Sequence, residues 1–163
     1  MVDFIEAGSE HASFLFELYA STRGDDFTPL GLPKGELAAL LRMQYEAQRS
    51  FYDSNYADAE HRVITHEGEP IGRMLVSREE EWLVLVDIAL LPAFRRRGIG
   101  GMLLKRLQTD ASKHGLGIQL HVRVGNPARS LYERYGFEAA PEQHSSPFTV
   151  MKWKAGESTG MSV

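Results

Sequence analysis

The sequence predicts a mixed α/β fold, a sheet flanked by about four helices, and three observations predict it. Apolar residues recur at helical spacing in four stretches, while seven others have the short, β-branched or alternating character of strands. Their order is strand, two helices, a three-strand meander, helix, strand, helix and a closing pair of strands. That is neither a doubly wound nor a barrel pattern. The chain has 163 residues and no cysteine. Such a length favours one domain, which buries roughly 68–70% of the surface its unfolded chain exposes and needs no disulfide.

Val2 to Ala7 reads as a first strand. Ser9 is placed to cap the next helix, in which Ala12, Leu15, Phe16 and Tyr19 share a face. Residues 21–33, STRGDDFTPLGLP, are rich in turn formers and read as a loop. Pro33 suits the first turn of a second helix, anchored by Leu37, Leu40, Leu41 and Tyr45. Residues 49–60, RSFYDSNYADAE, are expected to be irregular. A hairpin follows, His61 to Thr65 and Pro70 to Ser77 about the turn Glu67-Gly68-Glu69. Arg78 to Glu81 make a second turn. Trp82 to Leu91 is the near-continuous apolar run of a strand covered on both faces, and Trp82, Val84, Val86 and Ile88 favour strand over buried helix.

Pro92 ends that run. Ile99, Leu103, Leu104, Leu107 and Ala111 predict a helix that Gly115 stops. Ile118, Leu120, Val122 and Val124 alternate with polar residues as in a strand. Asn126-Pro127 reads as a cap with proline at the first position of a helix whose shared face is Ala128, Leu131, Tyr132 and Tyr135, closed by Gly136. Phe137 to Ala140 and Phe148 to Lys154 form the last pair of strands, and the remaining residues read as a frayed tail.

Composition narrows the function. Without cysteine there is no thiolate metal site and no cysteine nucleophile. The six histidines, His11, His61, His66, His114, His121 and His144, form no H-E-x-x-H spacing, so no metal is expected. No G-x-S-x-G elbow occurs. A formal net charge of −4 argues against a nucleic-acid binder, whose affinity comes mainly from cationic contacts to phosphates. No signal peptide is visible, and no apolar run approaches the ~20 residues of a membrane-spanning helix, so the expected location is the cytoplasm.

Residues 84–104, VLVDIALLPAFRRRGIGGMLL, carry the chemistry. A strand feeds a glycine-bearing loop that opens a helix, whose first N–H groups lack partners and whose dipole is positive there. With Arg95, Arg96 and Arg97 alongside, the turn suits an anion, most naturally phosphate. The alternative is a plain turn with solvated arginines. Neither the Walker A string nor the dinucleotide fingerprint fits, since position 103 is leucine.

Arg95-Arg96-Arg97-Gly98-Ile99-Gly100 resembles the R/Q-x-x-G-x-G/A motif of the GNAT superfamily of N-acetyltransferases. Downstream, Asn126-Pro127-Ala128 through Leu131-Tyr132-Glu133 to Gly136-Phe137 is similar to that family's N-x-x-A-…-L-Y-E-…-G-F segment. The resemblance implies a GNAT fold over residues 1–154, with a mostly antiparallel mixed sheet, splayed central strands and a tail at 155–163. It implies acetyl-CoA as acyl donor and a small-molecule or peptide amine as acceptor. Its pyrophosphate would lie against the backbone of Arg96, Arg97, Gly98, Ile99, Gly100 and Gly101, with Arg95 starting the motif. The pantetheine arm would pair like an added strand with Ile88, Ala89 and Leu90. Asn126, Ala128 and Tyr132 complete the implied cofactor-binding set. In many relatives the asparagine lies seven residues before the tyrosine; here it is six, while Ala128 keeps its four-residue offset, which leaves Asn126 as CoA contact or mere cap. Relatives often pair through their last strands, so a homodimer is a further expectation.

Acetyl transfer needs a neutral amine, a stabilised oxyanion and a proton for the leaving thiolate. Tyr132 resembles the family's general acid; its spacing also suits a core aromatic. A backbone N–H near Ile88–Leu90 would meet the oxyanion. A lone carboxylate in an apolar strand must be partnered or face a wet cleft. Asp87 therefore reads as the general base, directly or through water, or as a structural carboxylate, with Glu81 and His121 as lesser candidates. Asp25 and Asp26 could draw in a cationic acceptor. Tyr45, Phe51, Tyr52 and Tyr56 could line its pocket or pack in the core. The rival function is a non-catalytic acyl-CoA-binding module of the same fold.

Overall fold

The structure, a computed structural model, describes residues 1–141 and 146–155, without the side chains of Asp25 and Asp26. His144, most of the expected tail and the carboxylates of Asp25 and Asp26 lie outside the described residues. Seven strands form one open, mostly antiparallel sheet in the order β1-β2-β3-β4-β5-β7-β6. They are β1 (Val2–Glu6), β2 (Glu60–His66), β3 (Glu69–Arg78), β4 (Trp82–Leu90), β5 (Gly117–Arg123), β6 (Glu138–Ala139) and β7 (Phe148–Trp153). The helices are α1 (Ala12–Arg23), α2 (Lys34–Asn55), α3 (Ile99–Lys113) and α4 (Ala128–Arg134). The expected element order is thus the observed one.

The chain packs as two compact units. The first holds Met1–Leu75 and Asp87–Arg95. In it β1 runs antiparallel to β2, from Val2 opposite His66 to Glu6 opposite Arg62. The β2–β3 turn places Glu67 at φ 50 and Gly68 at φ 82, the paired left-handed residues of a tight hairpin. Helices α1 and α2 contribute Leu15, Leu18, Leu41 and Tyr45, which are buried together with Val63 and Ile64 of β2.

Three expectations fail in this unit. Residues 21–33 are not a loop: α1 runs on to Arg23, and a 3-10 helix spans Gly24–Leu30. Ser21 and Thr22 turn their hydroxyls back onto the carbonyls of Leu18 and Tyr19, at 2.7 and 2.9 Å, which lets these turn formers sit in helix. Nor is 49–60 irregular, since α2 continues to Asn55. The spacing Leu41, Tyr45, Gln48, Tyr52 extends one inward stripe, Arg49 pairs with Glu46, and Asn55 Nδ2 donates to the Phe51 carbonyl at 2.9 Å. Ser9 does not cap α1 either. It lies in a 3-10 turn, Ser9–His11, and His11 Nδ1 accepts from the Gly8 N–H at 2.9 Å.

The second unit holds Val76–Val86 and the chain from Arg96 onward. Here β4 and β5 are parallel, paired from Trp82 opposite Gly117 to Leu85 opposite Leu120. The paired register ends at Leu85, although β4 itself runs to Leu90. Strand β7 lies antiparallel to both β5 and β6. Leu103, Leu104, Leu107 and Ala111 of α3, Ile118 and Leu120 of β5, and Met151 of β7 form its core. Gly115, at φ 67, ends α3 in the left-handed conformation expected of it.

Candidate active site

The sequence-predicted residues divide between the units. In the second lies the turn into α3. Arg96 adopts φ 61 and Gly98 φ 79, so two left-handed residues reverse the chain just before the helix. A left-handed arginine is strained by about 1–2 kcal/mol. The first bond inside α3 runs from the Met102 N–H to the Gly98 carbonyl at 3.1 Å. The amides of Ile99, Gly100 and Gly101 therefore have no carbonyl ahead of them in the helix. Arg96, Arg97 and Gly98 are exposed, while Ile99 is buried and anchors the turn.

The three glycines serve different ends. A methyl group on Gly98 would meet open space, so only its φ demands glycine. At Gly100 it would lie 3.2 Å from Leu131 Cδ2, and at Gly101 it would run into the Tyr135 hydroxyl. These two glycines admit α4 against the start of α3. Gln108 Nε2 adds a hydrogen bond to the Tyr135 carbonyl at 2.7 Å.

Helix α4 carries Tyr132. It is buried, and its ring packs 5.9 Å from that of Phe137. Asn126 Oδ1 accepts from the Ala128 N–H at 2.9 Å, which makes Asn126 a cap one residue ahead of Pro127. Glu81 sits in the β3–β4 turn, where its carbonyl accepts from Gly117, and His121 is exposed on β5.

The first unit holds Asp87, Ile88, Ala89, Leu90 and Arg95. Arg95 Nε donates to the Leu90 carbonyl at 3.0 Å, tying the motif's first arginine to the end of β4. The Ala89 carbonyl occupies the place a Gly72 side chain would take, so the main chain of β4 has turned toward the face of β3 there.

Asp87 has the partner that its isolation in the sequence demanded. Arg73 of β3 donates to Asp87 Oδ2 from Nη2 at 2.6 Å and from Nε at 3.0 Å. The Arg73 side chain is 6% exposed and that of Asp87 26%. Arg73 Nη2 also reaches Gln48 Oε1 at 3.4 Å, and its guanidinium stands 5.4 Å from the Tyr52 ring centre. His61 of β2 belongs to the same cluster, with Nε2 buried and without a hydrogen-bond partner among the described residues. Burial, reinforced by the charge of Arg73, lowers the His61 pKa to about 4, so its imidazole is neutral. Burial and the nearby Asp87 charge push the Tyr52 hydroxyl up to about 12, against the opposing pull of Arg73.

The sequence reading missed Arg73, Gln48, Tyr52 as Arg73's neighbour, and the placement of His61. One signal was there to be read. Arg73 is the lone charge in Ile71–Val76, an anomaly of the same kind as Asp87 two strands' length away in sequence. Among the proposed pocket aromatics, Tyr45 is core, packed with Leu15 and Val63, while Phe51 is exposed.

An open, mostly antiparallel sheet with a parallel β4–β5 pair, and a glycine turn leading into α3, define a mixed α/β fold that is shared by a family of acyltransferases. The model of the acetyltransferase (GNAT) family matches residues 25–137, and the chain belongs to that family. Solved structures share the fold at low identity. The PaiA N-acetyltransferase of Thermoplasma acidophilum, in complex with coenzyme A, is 16% identical with a TM-score of 0.71, over 94% of this chain and 99% of that one. The ribosomal-protein-S18-alanine N-acetyltransferase of Escherichia coli is 19% identical with a TM-score of 0.66, over 96% and 97%. A GNAT acetyltransferase of Elizabethkingia anophelis with acetyl-CoA bound is 18% identical with a TM-score of 0.56, over 64% and 82%. No curated protein sequence matches the chain significantly. Among the described residues no helix is long and apolar enough to cross a membrane.

Proposed function

We propose that this protein transfers the acetyl group of acetyl-CoA to a primary amine by direct attack within a ternary complex. The observation that carries the reading is the turn into α3: two left-handed residues, Arg96 and Gly98, followed by amides with no acceptor in the helix. Such a nest, at the positive end of a helix dipole, suits a diphosphate. Structural relatives with coenzyme A or acetyl-CoA bound support that choice of ligand.

In this reading Arg96 to Gly101 hold the pyrophosphate, with cationic support from Arg95 and Arg97. The pantetheine arm pairs with Ile88, Ala89 and Leu90, in the stretch of β4 beyond its paired register with β5. The amine nitrogen attacks the thioester carbonyl and the C–S bond breaks. Asp87, directly or through water, takes a proton from the amine nitrogen as it attacks, and Tyr132 gives its proton to the departing sulfur. Asn126 acts as helix cap, which its bond to Ala128 supports. The protein works in the cytoplasm, and its acceptor is a small molecule or a peptide.

The test is a calorimetric titration with acetyl-CoA, followed by thiol release against a panel of amines. Binding with thiol release on at least one amine supports the enzyme. Binding without release on any amine favours the acyl-CoA-binding module, and no binding at all overturns both. Asp87→Asn should slow the reaction, most at low pH, with acetyl-CoA affinity kept.

A further inference from the structure

We infer that Arg73 is a positioning residue for Asp87, holding its carboxylate in one orientation while the other oxygen serves the reaction. This rests on the proposed role of Asp87. Both Arg73 donors converge on Oδ2. Oδ1 accepts no hydrogen bond from the described residues and belongs to a side chain that is still a quarter exposed. One oxygen is thus fixed and the other left to meet a proton.

Arg73 is itself held from three sides. Gln48 accepts from its Nη2, the Tyr52 ring packs beside its guanidinium, and it stands in β3 with little exposure. The charged and titratable groups acting on this cluster come from every element around it: Arg23 of α1, Tyr45, Arg49, Tyr52 and Asp53 of α2, His61 of β2 and His11 before α1. The neutral His61 adds no competing charge to the pair.

Stability does not explain the pair. Replacing a buried ion pair by apolar residues of like volume is often neutral or stabilising, because desolvation offsets the attraction. A planar guanidinium giving two donors to one carboxylate contributes geometry above all. Lysine keeps the charge and loses that fork.

The experiment compares the wild type with R73K, D87N and R73K/D87N, using acetyl-CoA alone as probe. Its slow hydrolysis is read as thiol release, with water in place of the amine, and its affinity by calorimetry. The expected result is an R73K rate down about tenfold to a hundredfold, the range a misplaced group loses, with acetyl-CoA affinity and melting temperature near wild type. In the D87N background R73K should change nothing further, because Arg73 acts only through Asp87. An R73M/D87L chain that melts at or above the wild-type temperature supports geometry over stability as the role of the pair, and one that melts far below it counts against the inference. If R73K does not fold, Tyr52→Leu takes its place in the same cycle.

An R73K rate equal to wild type, or a loss that persists in D87N, overturns the inference and leaves the proposed function standing. An unchanged D87N rate removes Asp87 and the inference together. Failure of the wild type to bind acetyl-CoA, or to release thiol from it either alone or with any amine of the panel, overturns the enzyme reading and this inference with it.

Discussion

Replacing Gly72 by alanine puts a methyl group where the Ala89 carbonyl already stands. The added carbon would lie well inside 3.0 Å of the Ala89 oxygen, 2.8 Å from Leu90 Cδ2 and 3.3 Å from the Ala89 carbonyl carbon. The first contact must open by more than half an ångström, and the obstacle is backbone, so no rotamer change relieves it. Overpacking of this kind costs about 1–3 kcal/mol, and an unyielding backbone places it near the top of that range. Alanine recovers roughly 0.4–1 kcal/mol by narrowing the unfolded ensemble. The net loss is about 2 kcal/mol. At roughly 2–4 °C per kcal/mol for a chain of this size, the melting temperature falls by about 4–8 °C. Acetyl-CoA should also bind more weakly, because Ala89 lies in the segment proposed to pair with the pantetheine arm. Circular dichroism melts and calorimetry measure both. Gly35→Ala is the matched control: it has open space around it and no positive φ, so the same chemical change should stabilise α2 by up to about 1 kcal/mol. A Gly72→Ala chain that melts at or above the wild-type temperature would refute the close approach of β3 to the Ala89 carbonyl.

Tyr132→Phe keeps the ring against Phe137 and removes the proposed proton donor, so kcat should fall about a hundredfold or more at unchanged acetyl-CoA affinity, read by thiol release and calorimetry. Gly101→Ala should destabilise by about 1–2 kcal/mol, since the gain in helix propensity is outweighed by the collision with Tyr135; in a Tyr135→Ala background the same substitution should stabilise, and melts of the four chains settle the sign. His61 has its folded pKa lowered to about 4 from the usual 6.5, so between those values the unfolded chain binds a proton that the folded chain does not. Its contribution to stability is complete above pH 6.5 and is lost as the pH falls toward 4, so urea midpoints should drop over that window and His61→Asn should drop less.

What the sequence alone determined is local. The order of elements, the hairpin at Glu67-Gly68 and the stop at Gly115 follow from periodicity and turn chemistry, which act within a few residues. The turn into α3 was legible for the same reason, since Gly98 must supply a left-handed residue wherever the rest of the chain goes. Residues 49–55 show where that reasoning runs out: their polar and aromatic composition suggests a loop, yet Tyr52 is helical because it continues a stripe whose inward neighbours lie on other elements.

Only the tertiary structure decided what surrounds each functional group. That the missing side chains of Gly100 and Gly101 make room for α4 depends on Leu131 and Tyr135 some thirty residues on. Asp87 could be called misplaced from its strand, but that Arg73 answers it follows from the pairing of neighbouring strands and from Gln48 and Tyr52 above them. Burial, and with it the altered proton affinity of His61 and Tyr52, comes from chain segments far apart in sequence, and no window along the chain contains it.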